Sequence, residues 1–330
     1  MGKVVEMPNV SVAMATYCGE RFLAQQLESI KAQTLTPLEL VVCDDCSTDR
    51  TVAILEDFAA TAPFPVHIHR NETNLGYIDN FMKAISLCKG KYVALSDQDD
   101  VWYDTKLQTA WDSLETNGAW LHSHSATLID EGGGAIGELR PLKQAGIVSY
   151  ETFSPWDTFF GFTCTFRRDM IAAVPLEKRP IDLIYGHKLM AHDRWITHLA
   201  FLSGPVDYTD TPLAGYRQHG GNAFGARGRG LFRKIKKFRA EYVNYLSKRA
   251  SISQSMTDIL RDFDRKGAGD NRYNLSVWQA LARDYGTRRD IFVNHKSFPR
   301  RTAALVARYR RDRNLKGFAK DVAAAAALAF

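Results

Sequence analysis

The stretch Tyr92-Val93-Ala94-Leu95-Ser96-Asp97-Gln98-Asp99-Asp100-Val101-Trp102 decides the fold. Its first half is a short apolar run of the kind that forms a buried strand. Its second half is acidic, and carboxylates two positions apart in a turn can face one divalent cation while a diphosphate supplies further oxygen ligands. Acidic turns that are only solvated are also common after strands, so this turn alone leaves its function open.

The sequence before this stretch repeats its arrangement. Three further apolar runs predict strands at Val10–Ala15, Leu38–Cys43 and Val66–Arg70, and helical spacing follows each run, at Leu23–Lys31, Thr51–Ala60 and Ile78–Leu87. Four alternations of strand and helix predict an α/β fold with a mostly parallel sheet and helices on both faces. Ligands of such sheets bind beyond the carboxyl ends of the strands, which is where the acidic turn falls.

A second acidic cluster, Asp44-Asp45-Cys46-Ser47-Thr48-Asp49, follows the second predicted strand. A carboxylate there can accept a hydrogen bond from a nucleotide base or a ribose hydroxyl. The same residues also suit a helix start, so capping by Thr48 or Asp49 stays open beside binding by Asp45. The Cys43-x-x-Cys46 spacing does not predict a metal or redox site, because no second pair accompanies it. Five dispersed cysteines indicate a reducing compartment rather than a disulfide framework.

The distribution of charge predicts two domains, residues 1–226 and 227–330. The first range holds 18 Lys and Arg against 28 Asp and Glu, and the second holds 25 against 9. We expect the second to be a basic helical region, with an apolar helical stripe beginning at Leu231. One interpretation is that this region binds an anionic membrane, which Arg300-Arg301 and the run Arg308 to Arg313 favour. The alternative is a helix that packs on the catalytic domain and has a solvated basic face. No recognised nucleic-acid-binding module accompanies the charge. Neither a signal peptide nor a spanning helix is predicted.

The order and spacing of these elements resemble the family 2 glycosyltransferases, which have the GT-A fold. The resemblance covers most of the first 225 residues. It includes the opening strand up to Tyr17, Gln33-Thr34 at the end of the first helix, and the two acidic clusters. The family usually has glycine in place of Cys46. Asn74-x-Gly76 completes the pattern.

This resemblance implies roles for individual residues. It implies a nucleotide site in which Asp45 contacts the base and Asp97 the ribose, with Ala15, Tyr17 and Asn74 also at the nucleotide. It implies that Asp99 holds a divalent metal, Mg²⁺ or Mn²⁺, that bridges the diphosphate.

Two later segments complete the set of implied roles. Asp193 matches the family's catalytic base, although it could instead cap the helix that follows. Tyr216-Arg217-Gln218-His219 resembles a late motif in which His219 is a metal ligand and Arg217 neutralises phosphate. An ordinary loop histidine is the alternative for His219.

The resemblance implies a metal-dependent inverting glycosyltransferase. The Asp97-Gln98-Asp99-Asp100-Val101-Trp102 version of the motif is similar to that of rhamnosyltransferases, so dTDP-L-rhamnose is the favoured donor, with UDP-hexoses as the alternative. The expected acceptor is a lipid-linked or growing glycan in polysaccharide or O-antigen synthesis. The expected location is cytoplasmic, peripheral on the inner face of the cytoplasmic membrane.

Two other classes of protein remain as rivals. A nucleotidyltransferase would ordinarily need a glycine-rich phosphate loop with a basic residue near its first strand, and Ala13–Gly19 is not one. An inactive glycan-binding scaffold would more plausibly have lost some of the four aspartates Asp45, Asp97, Asp99 and Asp193.

Overall fold

A computed structural model describes residues 9–182, 188–220, 231–265, 272–294, 298–312, 321–322 and 324–325. The chain packs into two compact units. The first comprises Met1–Leu176 and Ala191–Gly225, and the second comprises Glu177–Met190 and Ala226–Phe330. A functional boundary between residues 226 and 227 stays a prediction, and Arg227 and Arg229 of the predicted basic region lie outside the described residues.

Ten strands of the first unit form one sheet. They are β1 (Val10–Thr16), β2 (Glu39–Asp44), β3 (Val66–Arg70), β4 (Tyr92–Ser96), β5 (Val101–Trp102), β6 (Leu121–Ile129), β7 (Ala135–Leu139), β8 (Gly146–Val148), β9 (Thr165–Arg167) and β10 (Val206–Arg217). Their order in the sheet is β3-β2-β1-β4-β9-β6-β10-β5, with β7 paired to β6 and β8 paired to β10.

Helices flank this sheet, as the sequence predicts. They are α1 (Leu23–Lys31), α2 (Thr51–Ala59), α3 (Tyr77–Leu87), α4 (Lys106–Thr116), α5 (Asp169–Ala172) and α6 (His192–Ser203). The predicted α/β fold class is confirmed. The sheet is mixed, however: β1 to β4 pair in parallel, whereas β5, β7, β8 and β9 join antiparallel. The turn between β6 and β7 is too short for the crossover that a parallel pair requires.

The register of the central strands brings the site together. β1 and β2 pair Thr16 with Asp44, and β1 and β4 pair Met14 with Ser96. Burial along β2 and β4 is continuous, because helices cover both faces of the sheet. The carboxyl ends of all three strands therefore meet at one edge, and the acidic clusters follow β2 and β4 at that edge.

From Leu231 onward the second unit is helical where it is described, which confirms the predicted C-terminal helical extension. It contains α7 (Leu231–Arg265), α8 (Arg272–Asn294) and α9 (Phe298–Asp312). No helix within the described ranges is both long and apolar enough to span a membrane.

Buried arginines correct one part of the charge prediction. Arg288 is 5% exposed and pairs with Asp321 at 2.9 Å, and Arg308 is 5% exposed and pairs with Asp284. Arg301 is also buried, with its guanidinium over the ring of Phe292. Removing one partner of a buried ion pair is strongly destabilising, so the helical unit depends on the pairs of Arg288 and Arg308. Arg301 and Arg308 are therefore not available to a membrane surface.

Candidate active site

The acidic turn after β4 is fixed to the loop after β1. Gln98 accepts a hydrogen bond from the main-chain nitrogen of Tyr17 at 2.9 Å and donates one to the Tyr17 carbonyl at 3.0 Å. A Cβ at Gly19 would lie 2.3 Å from Gln98 Oε1, so only glycine allows this approach. Tyr17 itself is 54% exposed. The turn and the loop therefore form one rigid rim at the edge of the sheet.

Crowding of carboxylates sets the electrostatics of the turn. Burial and the neighbouring charges of Asp99 and Asp193 raise the pKa of Asp97 to about 7, against the opposing influence of Lys106. The pKa of Asp100 is raised for the same kinds of reason, burial first and then Asp97 and Asp99. A site that repels its own negative charge in this way favours the arrival of a cation.

Asp99 and His219 form the best candidate metal site. His219 Nε2 lies 2.7 Å from Asp99 Oδ2, and the His219 ring packs on Phe22 with centroids 5.0 Å apart. Among the described residues no group of three or more His, Cys, Asp or Glu could hold a metal ion. One carboxylate and one imidazole fit a divalent ion that takes its remaining ligands from a diphosphate and water, as Mg²⁺ commonly does.

Arg217 holds the main chain around Asp99. Its guanidinium is fully buried and donates to the main-chain oxygens of Asp99 (2.8 Å), Asp130 (3.1 Å) and Glu131 (2.9 Å) and to Gln25 Oε1 (2.7 Å). These bonds fix the main chain at Asp99. The neutralisation of phosphate by Arg217 stays a prediction.

Asp45 anchors the loop Asn74–Gly76. It is 2% exposed, and its carboxylate accepts hydrogen bonds from the main-chain nitrogens of Leu75 (2.7 Å) and Gly76 (2.8 Å) and from Asn71 Nδ2 (2.8 Å). Asn74 Nδ2 donates to the Asp45 carbonyl at 3.1 Å. The contact of Asp45 with a nucleotide base stays a prediction.

Asp193 lies in the first turn of α6, and the cap position is occupied by Ala191. No side-chain capping bond is made there, so the capping alternative for Asp193 does not fit. Asp193 Oδ1 accepts a hydrogen bond from the Arg194 main-chain nitrogen at 2.6 Å. The carboxylate therefore lies at the positive end of the helix dipole. Its charge also acts on Asp97, so the two carboxylates belong to one electrostatic site.

The structure thus gathers most of the predicted residues at one edge of the sheet. Asp99 and His219 are in contact, and Ala15 and Tyr17 lie at the end of β1 and in the loop after it. Sequence reasoning gave no role to Gln98, Phe22 or Gln25. Gln98 lies inside the motif that was singled out, whereas nothing in the sequence marks Phe22 and Gln25 as partners of His219 and Arg217.

Comparison with known proteins assigns one part of the chain to a family. Residues 11–171 match the family model described as "Glycosyl transferase family 2". This part of the chain is a family 2 glycosyltransferase domain. It contains β1 to β4, the acidic turn and β6, whereas Asp193 and His219 lie beyond the matched range.

Relatives and solved structures also resemble this chain. The chain is 29% identical over 222 residues to the dTDP-rhamnosyl transferase RfbG of Shigella flexneri, covering 64% of this chain and 74% of that protein. It is 37% identical over 101 residues to the putative glycosyltransferase EpsE of Bacillus subtilis, covering 31% of this chain and 36% of that protein. Crystal structures of S. aureus TarS 1-349, one in complex with UDP, share the fold, with a TM-score of 0.55, 16% identity, and 87% and 91% of the two chains covered.

Proposed function

We propose that this protein transfers a sugar from a nucleoside-diphosphate sugar to a hydroxyl group of a glycan acceptor, with inversion at the anomeric carbon. The observation that carries the proposal is the meeting of Asp97, Asp99, Asp193 and His219 at one edge of a family 2 domain. Asp97 and Asp99, together with His219, suit a nucleoside diphosphate. Asp193 supplies a separate carboxylate for the acceptor.

In the proposed reaction Asp193 takes the proton of the acceptor hydroxyl as a general base. The hydroxyl oxygen forms a bond to the anomeric carbon from the face opposite the diphosphate, and the bond between that carbon and the phosphate oxygen breaks. The electron pair leaves with the nucleoside diphosphate, and the new linkage has the inverted configuration. This scheme uses the carboxylate form of Asp193, which lies in the first turn of α6.

A divalent ion, Mg²⁺ or Mn²⁺, held by Asp99 and His219 would supply Lewis-acid stabilisation of the charge on the diphosphate. The chain's own contribution is to hold those two side chains in place. Arg217 fixes the main chain at Asp99, and Phe22 supports the ring of His219.

For the donor we propose dTDP-L-rhamnose, with UDP-hexoses as the second candidate. The similarity to the dTDP-rhamnosyl transferase RfbG supports the first, together with the Asp97-Gln98-Asp99-Asp100-Val101-Trp102 motif. A screen of dTDP-, UDP- and GDP-sugars, scored by release of the nucleoside diphosphate, tests this. Release only from UDP-sugars would replace rhamnose with a hexose. Release from none, in the presence of a lipid-linked glycan acceptor, would contradict the proposed transferase.

We also propose that the acceptor is lipid-linked or part of a growing polysaccharide or O-antigen, met at the cytoplasmic face of the membrane. The excess of 25 basic over 9 acidic residues after position 226 supports contact with anionic lipid. Because Arg301 and Arg308 are buried, exposed residues such as Arg300 would have to carry the contact. Sedimentation with anionic vesicles at low and high salt tests this, with neutral vesicles as the control. Failure to bind anionic vesicles at low salt would favour a solvated basic face.

A further inference from the structure

A lysine is completely buried directly beneath the candidate site. Lys106, the first residue of α4, is 0% exposed. Its amine donates to the Phe162 carbonyl at 2.7 Å, lies 2.6 Å from His124 Nε2, and sits 4.6 Å from the centre of the Trp102 ring. No carboxylate of the described residues comes within 4.0 Å of it. A buried amine without an ion pair is costly, so its presence calls for an explanation.

The hydrogen bonds of His124 show whether the amine of Lys106 donates to this ring or accepts from it. His124 Nδ1 lies 2.6 Å from the Ser125 carbonyl, which can only accept, so Nδ1 carries the proton. Nε2 is then an acceptor, and Lys106 is the donor to it. Burial lowers the pKa of His124 well below its usual value, which agrees with this neutral tautomer. Lys106 therefore makes two directed bonds, one to β6 and one to the turn Gly161–Thr163.

That turn is the link to the acceptor side of the site. Main-chain pairing between β4 and the segment before β9 reaches Leu95, whose nitrogen donates to the Cys164 carbonyl at 3.1 Å. On one side of this bond, β4 ends at Ser96 and the acidic turn begins. On the other side, Cys164 directly follows the turn Gly161–Thr163. The amine of Lys106 then joins Phe162 to the helix that follows the acidic turn.

The opposite side of the same turn touches the candidate base. A Cβ at Gly161 would lie 2.9 Å from His192 Nε2 and 3.6 Å from Asp193 Cβ. The turn is therefore in direct contact with the start of α6. A displacement of Phe162 would shift the surface against which His192 and Asp193 rest.

We propose that Lys106 is a positioning residue for the transfer reaction, which holds the Gly161–Thr163 turn and, through it, Asp193 at a fixed distance from the acidic turn. This inference rests on the proposed function, since it requires Asp193 to act on the acceptor. It assigns Lys106 no contact with donor, acceptor or metal. A misplacement of about 1 Å at a reacting group can reduce a rate about 100-fold.

The test uses the full chain and Lys106→Met, which preserves length but removes the donor. We expect kcat to fall about 10- to 100-fold while the dissociation constant for the nucleoside diphosphate with Mn²⁺ changes less than about threefold. Lys89→Met is the control, because the side chain of Lys89 is exposed, and it should leave both values unchanged. A kcat of Lys106→Met equal to that of the wild type would overturn the inference.

A double-mutant cycle with Gly161→Ala separates positioning from general destabilisation. If both changes act through the same turn, the combined loss in kcat is smaller than the product of the single losses. Independent, multiplicative losses would overturn the inference. If Lys106→Met does not fold, Lys106→Gln replaces it, and failure of both to fold makes Lys106 a folding residue only. An inactive wild type refutes the proposed function as well, whereas an active wild type with an equally active variant refutes this inference alone.

Discussion

The imidazole of His219 lies 2.7 Å from the carboxylate of Asp99, across 120 residues of sequence. His219 lies just after the end of β10 at Arg217, and Asp99 lies in the turn that follows β4. The ends of these two strands bring the side chains together. Neither side chain forms a complete metal site alone. We therefore expect metal affinity to depend on both, and on the diphosphate of the donor.

The first prediction follows from this pair. Asp99→Ala should abolish turnover, and His219→Ala should weaken the apparent Mn²⁺ affinity at least about 10-fold, because each removes one of two protein ligands. Activity measured against metal concentration, with chelated enzyme as the baseline, gives both values. Asp104→Ala removes an exposed carboxylate nearby and should behave as the wild type. Full activity in excess EDTA would rule out the metal-dependent reaction.

The second prediction concerns the general base. Asp193→Asn keeps the size of the side chain but cannot take a proton at neutral pH, so kcat should fall about 10²- to 10⁴-fold. Donor binding and the thermal midpoint should stay close to those of the wild type, since within the described part of the chain the Asp193 carboxylate accepts one hydrogen bond, from the Arg194 main-chain nitrogen. Steady-state kinetics and calorimetry measure these quantities. A variant with near-normal kcat would show that the base lies elsewhere.

The third prediction concerns Arg217, whose guanidinium donates to three main-chain oxygens and Gln25. Arg217→Met leaves those buried acceptors unsatisfied and should lower the free energy of unfolding by about 2–4 kcal/mol. Arg21→Met is the matched control, because Arg21 is 63% exposed in its ion pair with Glu131 and should contribute less than about 1 kcal/mol. Urea denaturation compares the two. Equal losses would contradict the structural role of Arg217.

The fourth prediction concerns acid stability. His198 is 1% exposed, and burial together with the charge of Arg194 lowers its pKa to about 3. Because this pKa is below that of the unfolded chain, the unfolded state binds more protons as the pH falls below about 6.5, and stability is lost. The wild type should lose free energy of unfolding between about pH 6.5 and pH 5, and His198→Gln should make that loss smaller by about 1–2 kcal/mol.

Urea denaturation at the two pH values measures this loss. The wild type measured under the same conditions serves as the reference. An unchanged pH dependence in His198→Gln would contradict the assignment.

The sequence predicts the first half of the fold closely because strand-like and helix-like stretches alternate there. The predicted strand Val66–Arg70 matches β3, and the predicted helix from Leu23 to Lys31 matches α1. β6 is harder to predict, since His122, Ser123 and His124 lie in the buried part of that strand and carry no hydrophobic pattern.

The sequence predicts the positions of some site residues but not the partners of others. Asp99 and His219 come together as the resemblance implies, because strand ends determine their positions. The contacts that Arg217 and Asp45 make could not be predicted, because most of their partners are main-chain groups. Main-chain carbonyls and amides exist at every position, so no sequence pattern shows which of them a buried guanidinium or carboxylate will bind.

The segment Glu177–Met190 belongs to the second unit, although it lies in the sequence between the two parts of the first unit. The two units are therefore nested rather than arranged in tandem, and no single cut of the polypeptide separates them. A fragment ending near residue 226 would keep Glu177–Met190 and lose the rest of the unit to which that segment belongs. The role of the basic region in membrane binding is therefore tested by charge substitutions in the intact chain. A truncated protein that fails to bind membranes does not separate lost charge from a disrupted second unit.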